Sequence, residues 1–240
     1  MVMRKVPRSA SATTGRAYSR TAGRSLGHQS GLERDAYLAS SFLPGLLSIE
    51  EQPCQIQSDE HSYRPDTSLR MEVHTQSGSE LSDFLVEIKY LDDLQKNFGE
   101  YKPRIELGVE YAHAHGWKFK VLTELEIRGQ DFPAVRFLRR FLGGQVADPV
   151  RAWVLYVLSR GPRTLIELLD DGSKALGLPA RGLIPQVWTL VANQEVHLLY
   201  PPQLNLYTRL YHVTSAPDQG YWVPCHGLID ALLAPWEVRP

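Results

Sequence analysis

Cysteine is almost missing from this sequence. Cys54 and Cys225 stand far apart and no CxxC pair occurs, which excludes a zinc ribbon and a disulfide framework and fits a reducing compartment. No apolar run is long enough to span a bilayer. There is no secretory h-region. The Arg- and Ser-rich start has the composition of an organellar transit peptide but lacks its amphipathic spacing. No Walker-type glycine loop occurs, so ATP hydrolysis is not expected. Internal repeats are absent. So is a global basic excess: 26 Lys and Arg face 27 acids, for a formal net charge of -1. The distribution of charge says more. Residues 1–24 hold Arg4, Lys5, Arg8, Arg16, Arg20 and Arg24 and no acid. A local basic segment of that kind binds phosphate even in a neutral protein.

What is present reads as three parts. Residues 1–28 are small, polar and basic and are expected to be a flexible arm. Residues 29–146 are expected to form an α/β domain. Ser30 and Glu33 fit a capping box opening a helix that Pro44 and Gly45 stop. Short strands come next over 46–66, then a turn at 75–80. A strand over 83–91 sets Phe84, Val86, Ile88 and Tyr90 on one face and Asp83, Leu85, Glu87 and Lys89 on the other. A helix over 104–115, a strand over 118–122 and a helix over 132–142 complete this part. Residues 147–240 begin with a helix carrying Pro149 in its first turn. A short helix capped by Thr164 and Glu167 runs through Leu169, and Asp171 with Gly172 reads as a turn. A third helix over 184–193 precedes two strands over 196–211. Three short helices and a hairpin are the layout of a winged helix. Residues 214–240 give no pattern.

Hydrolysis of a phosphodiester with a divalent metal needs hard oxygen ligands converging on one point. Glu87 and Lys89, two apart on a strand, share a face. A carboxylate there can hold the ion, and the ammonium can steady the attacking water or the charge building on phosphate. Asp66 comes directly after Pro65, which marks a strand end or bulge where a side chain is re-aimed. Glu33 on the first helix offers a third carboxylate. Plainer roles compete: a solvated strand face with a surface ion pair for Glu87 and Lys89, and the partner of Ser30 for Glu33.

Five segments taken in order resemble the TnsA family. They are 31–35 with Leu32, Glu33 and Asp35; 51–53; 63–66 ending in Asp66; 86–89 with Glu87 and Lys89; and 122–128 with Glu124, Glu126 and Arg128. Such proteins are endonuclease subunits of heteromeric transposases, PD-(D/E)xK nucleases with a winged-helix C-terminal domain. The resemblance covers residues 16–145, and 148–212 in layout. It implies a restriction-endonuclease-like mixed sheet flanked by helices, followed by a small winged helix. It also implies a catalytic set of Glu33, Asp66, Glu87 and Lys89, with one or two Mg2+ or Mn2+ ions on Glu33, Asp66 and Glu87. The implied substrate is double-stranded DNA cut at the 5′ ends of a transposon. The implied partners are a DDE-type transposase and an AAA+ regulator, and the implied location is the bacterial cytoplasm in association with DNA. Two departures stand out. Thr67 replaces an aromatic after Asp66, and the gap from Asp66 to Glu87 is long enough to require an extended hairpin. Asp83 is therefore a rival ligand, although it sits about 13 Å along the strand from Glu87.

Other residues carry plainer expectations. His113 and His115 do not share a helix face, so zinc is not expected. Lys118 and Lys120 fit either a DNA-lining strand or a solvated edge. Arg139 and Arg140 suit a helix C-terminus. Arg181, Gln186 and Asn193 are the best base readers on the third helix, a poor set. Two rival functions remain: a stand-alone restriction- or repair-type nuclease with the same site, and a non-catalytic winged-helix DNA-binding scaffold.

Overall fold

The computed structural model describes residues 14–59, 61–75, 78–214 and 221–235. The chain divides into two units. One comprises positions up to Gly129 together with those from Cys225 onward, and the other runs from Gln130 to Pro224.

The first unit opens on an antiparallel hairpin, β1 (Gly15–Ser19) and β2 (Arg24–His28). This corrects the flexible arm expected over 1–28, because the segment is paired strand from Gly15. Gly23 makes the turn at φ 65°, a left-handed conformation that glycine adopts without strain. Leu26 is wholly buried, and the Arg24 guanidinium pairs with Glu51 at 2.9 Å. Arg4, Lys5 and Arg8 lie outside the described residues.

Next comes α1 (Gly31–Ser40), with Ser30 Oγ accepting the Glu33 N–H at 3.0 Å. The chain continues through strands β3 (Leu46–Glu51), β4 (Ile56–Gln57), β5 (Ser62–Tyr63), β6 (Thr67–Thr75) and β7 (Gly78–Ile88). Helices α2 (Leu91–Lys96) and α3 (Phe98–Ala114) lead to β8 (Lys118–Leu122), and α4 (Glu124–Ile127) comes after it. The main sheet has the order β3-β6-β7-β8. Its first three strands are antiparallel, and β8 is parallel to β7. This mixed sheet flanked by helices fits a restriction-endonuclease-like fold.

The strand expected over 83–91 begins earlier and ends sooner, because β6 and β7 form one long hairpin. Leu69, Met71 and Val73 alternate inward along β6. As an inner strand, β7 is covered on both faces: Phe84, Leu85 and Val86 are all 0% exposed. Leu85 lies in a core with Ile56, Tyr63, Ile105, Ala112 and Phe119. Close approach of α3 depends on Gly108, where a Cβ would stand 2.5 Å from the Phe119 ring and 2.9 Å from that of Tyr63. Such crowding outweighs the roughly 1 kcal/mol that alanine gains over glycine in a helix.

The second unit contains α5 (Phe132–Leu138), α6 (Asp148–Ser159), β9 (Arg163–Thr164), α7 (Leu165–Leu176), α8 (Ala180–Ala192), β10 (Val196–His197) and β11 (Arg209–His212). Its strands form an antiparallel sheet of order β10-β11-β9. Thr164 and Glu167 make the expected capping box. The turn expected at Asp171 and Gly172 is instead helix. A Cβ on Gly172 would meet the Trp153 ring at 2.9 Å and Leu183 at 3.1 Å, so this glycine serves helix packing.

The unit limits differ from those expected at 146 and 147. Phe137 of α5 packs edge-on against Trp188 of α8 with centroids 5.5 Å apart, which ties α5 to the second unit. The last helix, α9 (His226–Leu233), belongs to the first unit. There Cys225 Sγ donates to Ala39 O at 3.4 Å. No helix among the described residues is long and apolar enough to cross a membrane.

Candidate nuclease centre

The β6–β7 register sets Thr67 opposite Val86. One further step places Asp66 opposite Glu87, so the long sequence gap between them is the length of the hairpin. Two contacts fix Asp66. Its carbonyl accepts the Gln52 N–H at 2.9 Å, and its Oδ2 accepts the Ile88 N–H at 2.8 Å. Thr67 donates from Oγ1 to Glu50 O at 2.7 Å and locks β6 to β3, which gives the unexpected threonine a structural role.

Both carboxylates meet the amine of Lys89. Its Nζ lies 2.5 Å from Glu87 Oε1 and 3.2 Å from Asp66 Oδ2. It also donates to the Ile88 carbonyl at 3.2 Å. Three hard oxygens thus surround one cation. The Asp66, Glu87 and Lys89 side chains are 15%, 9% and 22% exposed, so the solvated strand face does not describe them. Asp83 is elsewhere engaged: it pairs with Arg70 at 2.9 Å, directly across the hairpin.

Local sequence signals give no role to Tyr63. It is 5% exposed and donates its hydroxyl to Glu87 Oε2 at 2.6 Å. One oxygen of Glu87 is thereby held from behind while the other faces Lys89. The short strand β5 brings Tyr63 there beneath α3, a long-range placement that no local spacing announces.

The electrostatics derive from burial. The Glu87 carboxyl is pushed up to about 7, first by burial and then by the Asp66 charge, against the pull of Lys89 and the Tyr63 hydrogen bond. The Lys89 amine is held above its usual range: Asp66 and Glu87 together outweigh burial, which alone would lower it. Without metal, the stability that protonated Glu87 contributes is full below its ordinary value of 4.5 and is lost as pH rises through about 7. A divalent ion needs the ionised form. Its affinity is therefore expected to climb with pH to about 7 and then level, with a proton released on binding below that point. Tyr63→Phe should move this midpoint upward and weaken Mn2+ binding by roughly 10–100-fold at neutral pH. Titration of Mn2+ at several pH values reads both effects.

Glu33 stands differently from the other three. It is 7% exposed, and its Oε2 accepts the Gln29 N–H at 3.0 Å. The capping bond from Ser30 is present, but the reciprocal arm reaches one residue before the cap. Among the described residues, no group of three or more His, Cys, Asp or Glu side chains stands together as a metal-holding set. Asp66, Glu87 and Lys89 are brought together, and Glu33 is not gathered with the two carboxylates. The donor chemistry still fits a hard divalent ion. Mg2+ is commonly held by one or two carboxylates, with water or substrate oxygen completing its shell.

The basic residues expected to bind DNA divide. Arg16 and Arg20 are exposed on β1 and its turn, while Arg24 is committed to Glu51. Lys118 donates to Ser82 Oγ at 3.2 Å. Lys120 is 4% exposed and donates to the Ala234 carbonyl, so it is not an open DNA-lining group, whereas Lys118 stays exposed. Arg140 donates to Phe137 O at 3.2 Å near the end of α5, the helix-terminal role expected of it.

Residues 44–124 match the family model described as the TnsA-like endonuclease N-terminal domain. The match contains Asp66, Glu87 and Lys89 and begins after Glu33. No curated protein gives a significant match to the chain.

Proposed function

Since this chain carries a TnsA-like endonuclease N-terminal domain over residues 44–124, we propose that it is the metal-dependent endonuclease subunit of a transposase. It would hydrolyse the phosphodiester at the 5′ ends of a transposon in double-stranded DNA during cut-and-paste movement. The observation that carries this reading is the convergence of Asp66, Glu87 and the Ile88 carbonyl on one point now filled by the Lys89 amine.

Asp66 and Glu87 would hold one or two Mg2+ or Mn2+ ions. Glu33 would be a third carboxylate once released from Gln29. A divalent ion, when bound, supplies Lewis acidity at a phosphoryl oxygen. The chain's own part comes from its contacts. Tyr63 keeps Glu87 aimed and favours its ionised form. Glu87 and Asp66 neutralise and orient the Lys89 amine. Once displaced from that point, the amine is free to donate to the attacking water or to the oxygen gathering charge on phosphorus.

We read the second unit as a winged helix, because α6, α7 and α8 accompany a sheet of order β10-β11-β9. Its third helix, α8, is a weak base reader. Gln186 accepts the Ala147 N–H at 2.9 Å and donates to Gly182 O at 3.1 Å. Asn193 accepts the Gly143 N–H at 2.7 Å. With Arg181 alone left exposed, recognition of a long DNA site would fall to partners: a DDE-type transposase and an AAA+ regulator.

The test is nicking of duplex DNA bearing transposon ends, with Mg2+, with and without the cognate transposase. Cleavage at 5′ ends only when the transposase is present is the expected result. Efficient cleavage by the chain alone would establish the stand-alone nuclease instead. No cleavage in either case would remove the nuclease reading.

A further inference from the structure

The parallel strands β7 and β8 end together, with Ile88 paired to Leu122. The residues just past each strand therefore lie at the same end of the sheet as the catalytic centre. After β7 come Lys89 and Tyr90, and after β8 come α4 and Arg128. A third element meets them there. Asp35 of α1, 7% exposed in its side chain, accepts Arg128 Nε at 2.8 Å on one oxygen. On the other oxygen it accepts Arg34 Nε and Nη2 at 3.0 and 2.8 Å. Arg128 also donates from Nη2 to the Tyr90 hydroxyl at 3.3 Å and lies 5.6 Å from the centre of the Tyr90 ring.

One buried carboxylate thus orders two guanidinium groups, whose side chains stay 44% and 34% exposed. The pair carries one positive charge beyond what Asp35 balances. The neighbouring acids of α4 are turned to other work: Glu124 accepts the Leu91 N–H at 2.9 Å, and Glu126 caps Thr123. Neither Nη1 group has a partner among the described residues. A guanidinium anchored along one edge, with donors left over on another, has already lost the side-chain entropy that binding would cost, and its fork matches a phosphate. Surface stability alone does not call for two arginines on one carboxylate, since exposed pairs contribute at most about 1 kcal/mol.

We propose that Arg34 and Arg128, splayed on Asp35 beside Tyr90, form a phosphate clamp for the DNA backbone flanking the scissile bond. The ligand is a backbone phosphate of duplex DNA, and the contact positions the strand without reading bases. Tyr90 comes directly after Lys89, which sets the clamp at the same end of the sheet as the catalytic centre. This inference rests on the nuclease reading and assigns residues which that reading leaves idle.

Binding of the full chain to a fluorescent end-bearing duplex, measured over a range of salt, tests it. Arg34→Gln and Arg128→Gln each leave Asp35 one partner, so the fold is kept, and Mn2+ titration verifies an intact centre. Each variant is expected to lower the slope of log affinity against log salt by about 1, with the double variant losing about 2. The loss should be equal for unrelated duplexes, and Arg128→Lys should restore most of the slope. Unchanged slopes in variants that bind Mn2+ normally would overturn the clamp alone. So would a loss confined to end-bearing DNA. A wild-type chain that binds Mn2+ but no duplex would overturn the clamp, while the nuclease reading stands or falls on cleavage with the transposase.

Discussion

Asp66→Asn and Asp66→Ala are both expected to abolish DNA cleavage, and only Asp66→Ala to lose stability as well. The two effects separate because Asp66 Oδ2 has two tasks. It accepts the Ile88 N–H at 2.8 Å, which fixes the end of β7, and it faces the Lys89 amine at 3.2 Å. Alanine leaves the Ile88 N–H without its acceptor, a loss of about 1–3 kcal/mol in a part-buried site. Asparagine retains an amide oxygen for that N–H but gives up the charge that would hold a divalent ion. Both variants lose metal affinity by more than the roughly 10–100-fold typical of a supporting residue. Thermal melts compared with nicking of end-bearing DNA give both readouts. An Asp66→Asn chain that cleaves normally would show that this carboxylate does no chemistry.

Lys89→Ala should make the fold depend on metal. Without the amine, Asp66 and Glu87 confront each other in a pocket where their side chains are 15% and 9% exposed. Breaking a buried pair in this way costs about 3–5 kcal/mol. The loss here should fall at or below the lower end, because Glu87 already tends to keep its proton up to about 7. Added Mn2+ would take the vacated point among the same oxygens. The variant is thus expected to gain more thermal stability from Mn2+ than the wild type does, and to bind the ion at least as tightly. Cleavage should nevertheless fall on the order of 10²–10³-fold, the scale of losing one charge-stabilising donor. A purely structural lysine would give stability loss without that split, and full cleavage at saturating Mn2+ would exclude Lys89 from the chemistry.

How far the sequence foretells this site depends on the range of the signal. Glu87 and Lys89 are legible because a strand repeats every two residues and their face is set by local alternation. The cap at Thr164 is legible for the same reason, being complete within four residues, and so is the Ser30 hydroxyl's bond to the Glu33 N–H. Asp66 is legible as a residue, but its position opposite Glu87 needs the full β6–β7 hairpin. Tyr63 is not legible as part of the site, because only the packing of α3 over β5 brings its hydroxyl to Glu87. Glu33 is legible in part: its N–H is capped by Ser30 as its spacing suggests, while its carboxylate takes the Gln29 N–H, one residue before the cap.

Small residues mislead in two places. The polar segment from Gly15 to His28 reads as an arm, although Leu26 buries itself and Glu51 takes Arg24. Gly172 reads as a turn, although it admits the Trp153 ring between helices. In both cases the deciding partner lies far along the chain. The same holds for α5, whose sequence carries an ordinary helical pattern and whose unit is decided by what it packs against, while α9 lies in a stretch where the sequence gives no pattern.

A Mn2+ titration of the wild type and of Asp66→Asn, followed by calorimetry at pH 8, tests the central claim most directly. The wild type is expected to bind the ion, and the asparagine variant, folded and equally stable, to bind it far more weakly. Equal binding by both chains, or none by the wild type, would contradict that claim.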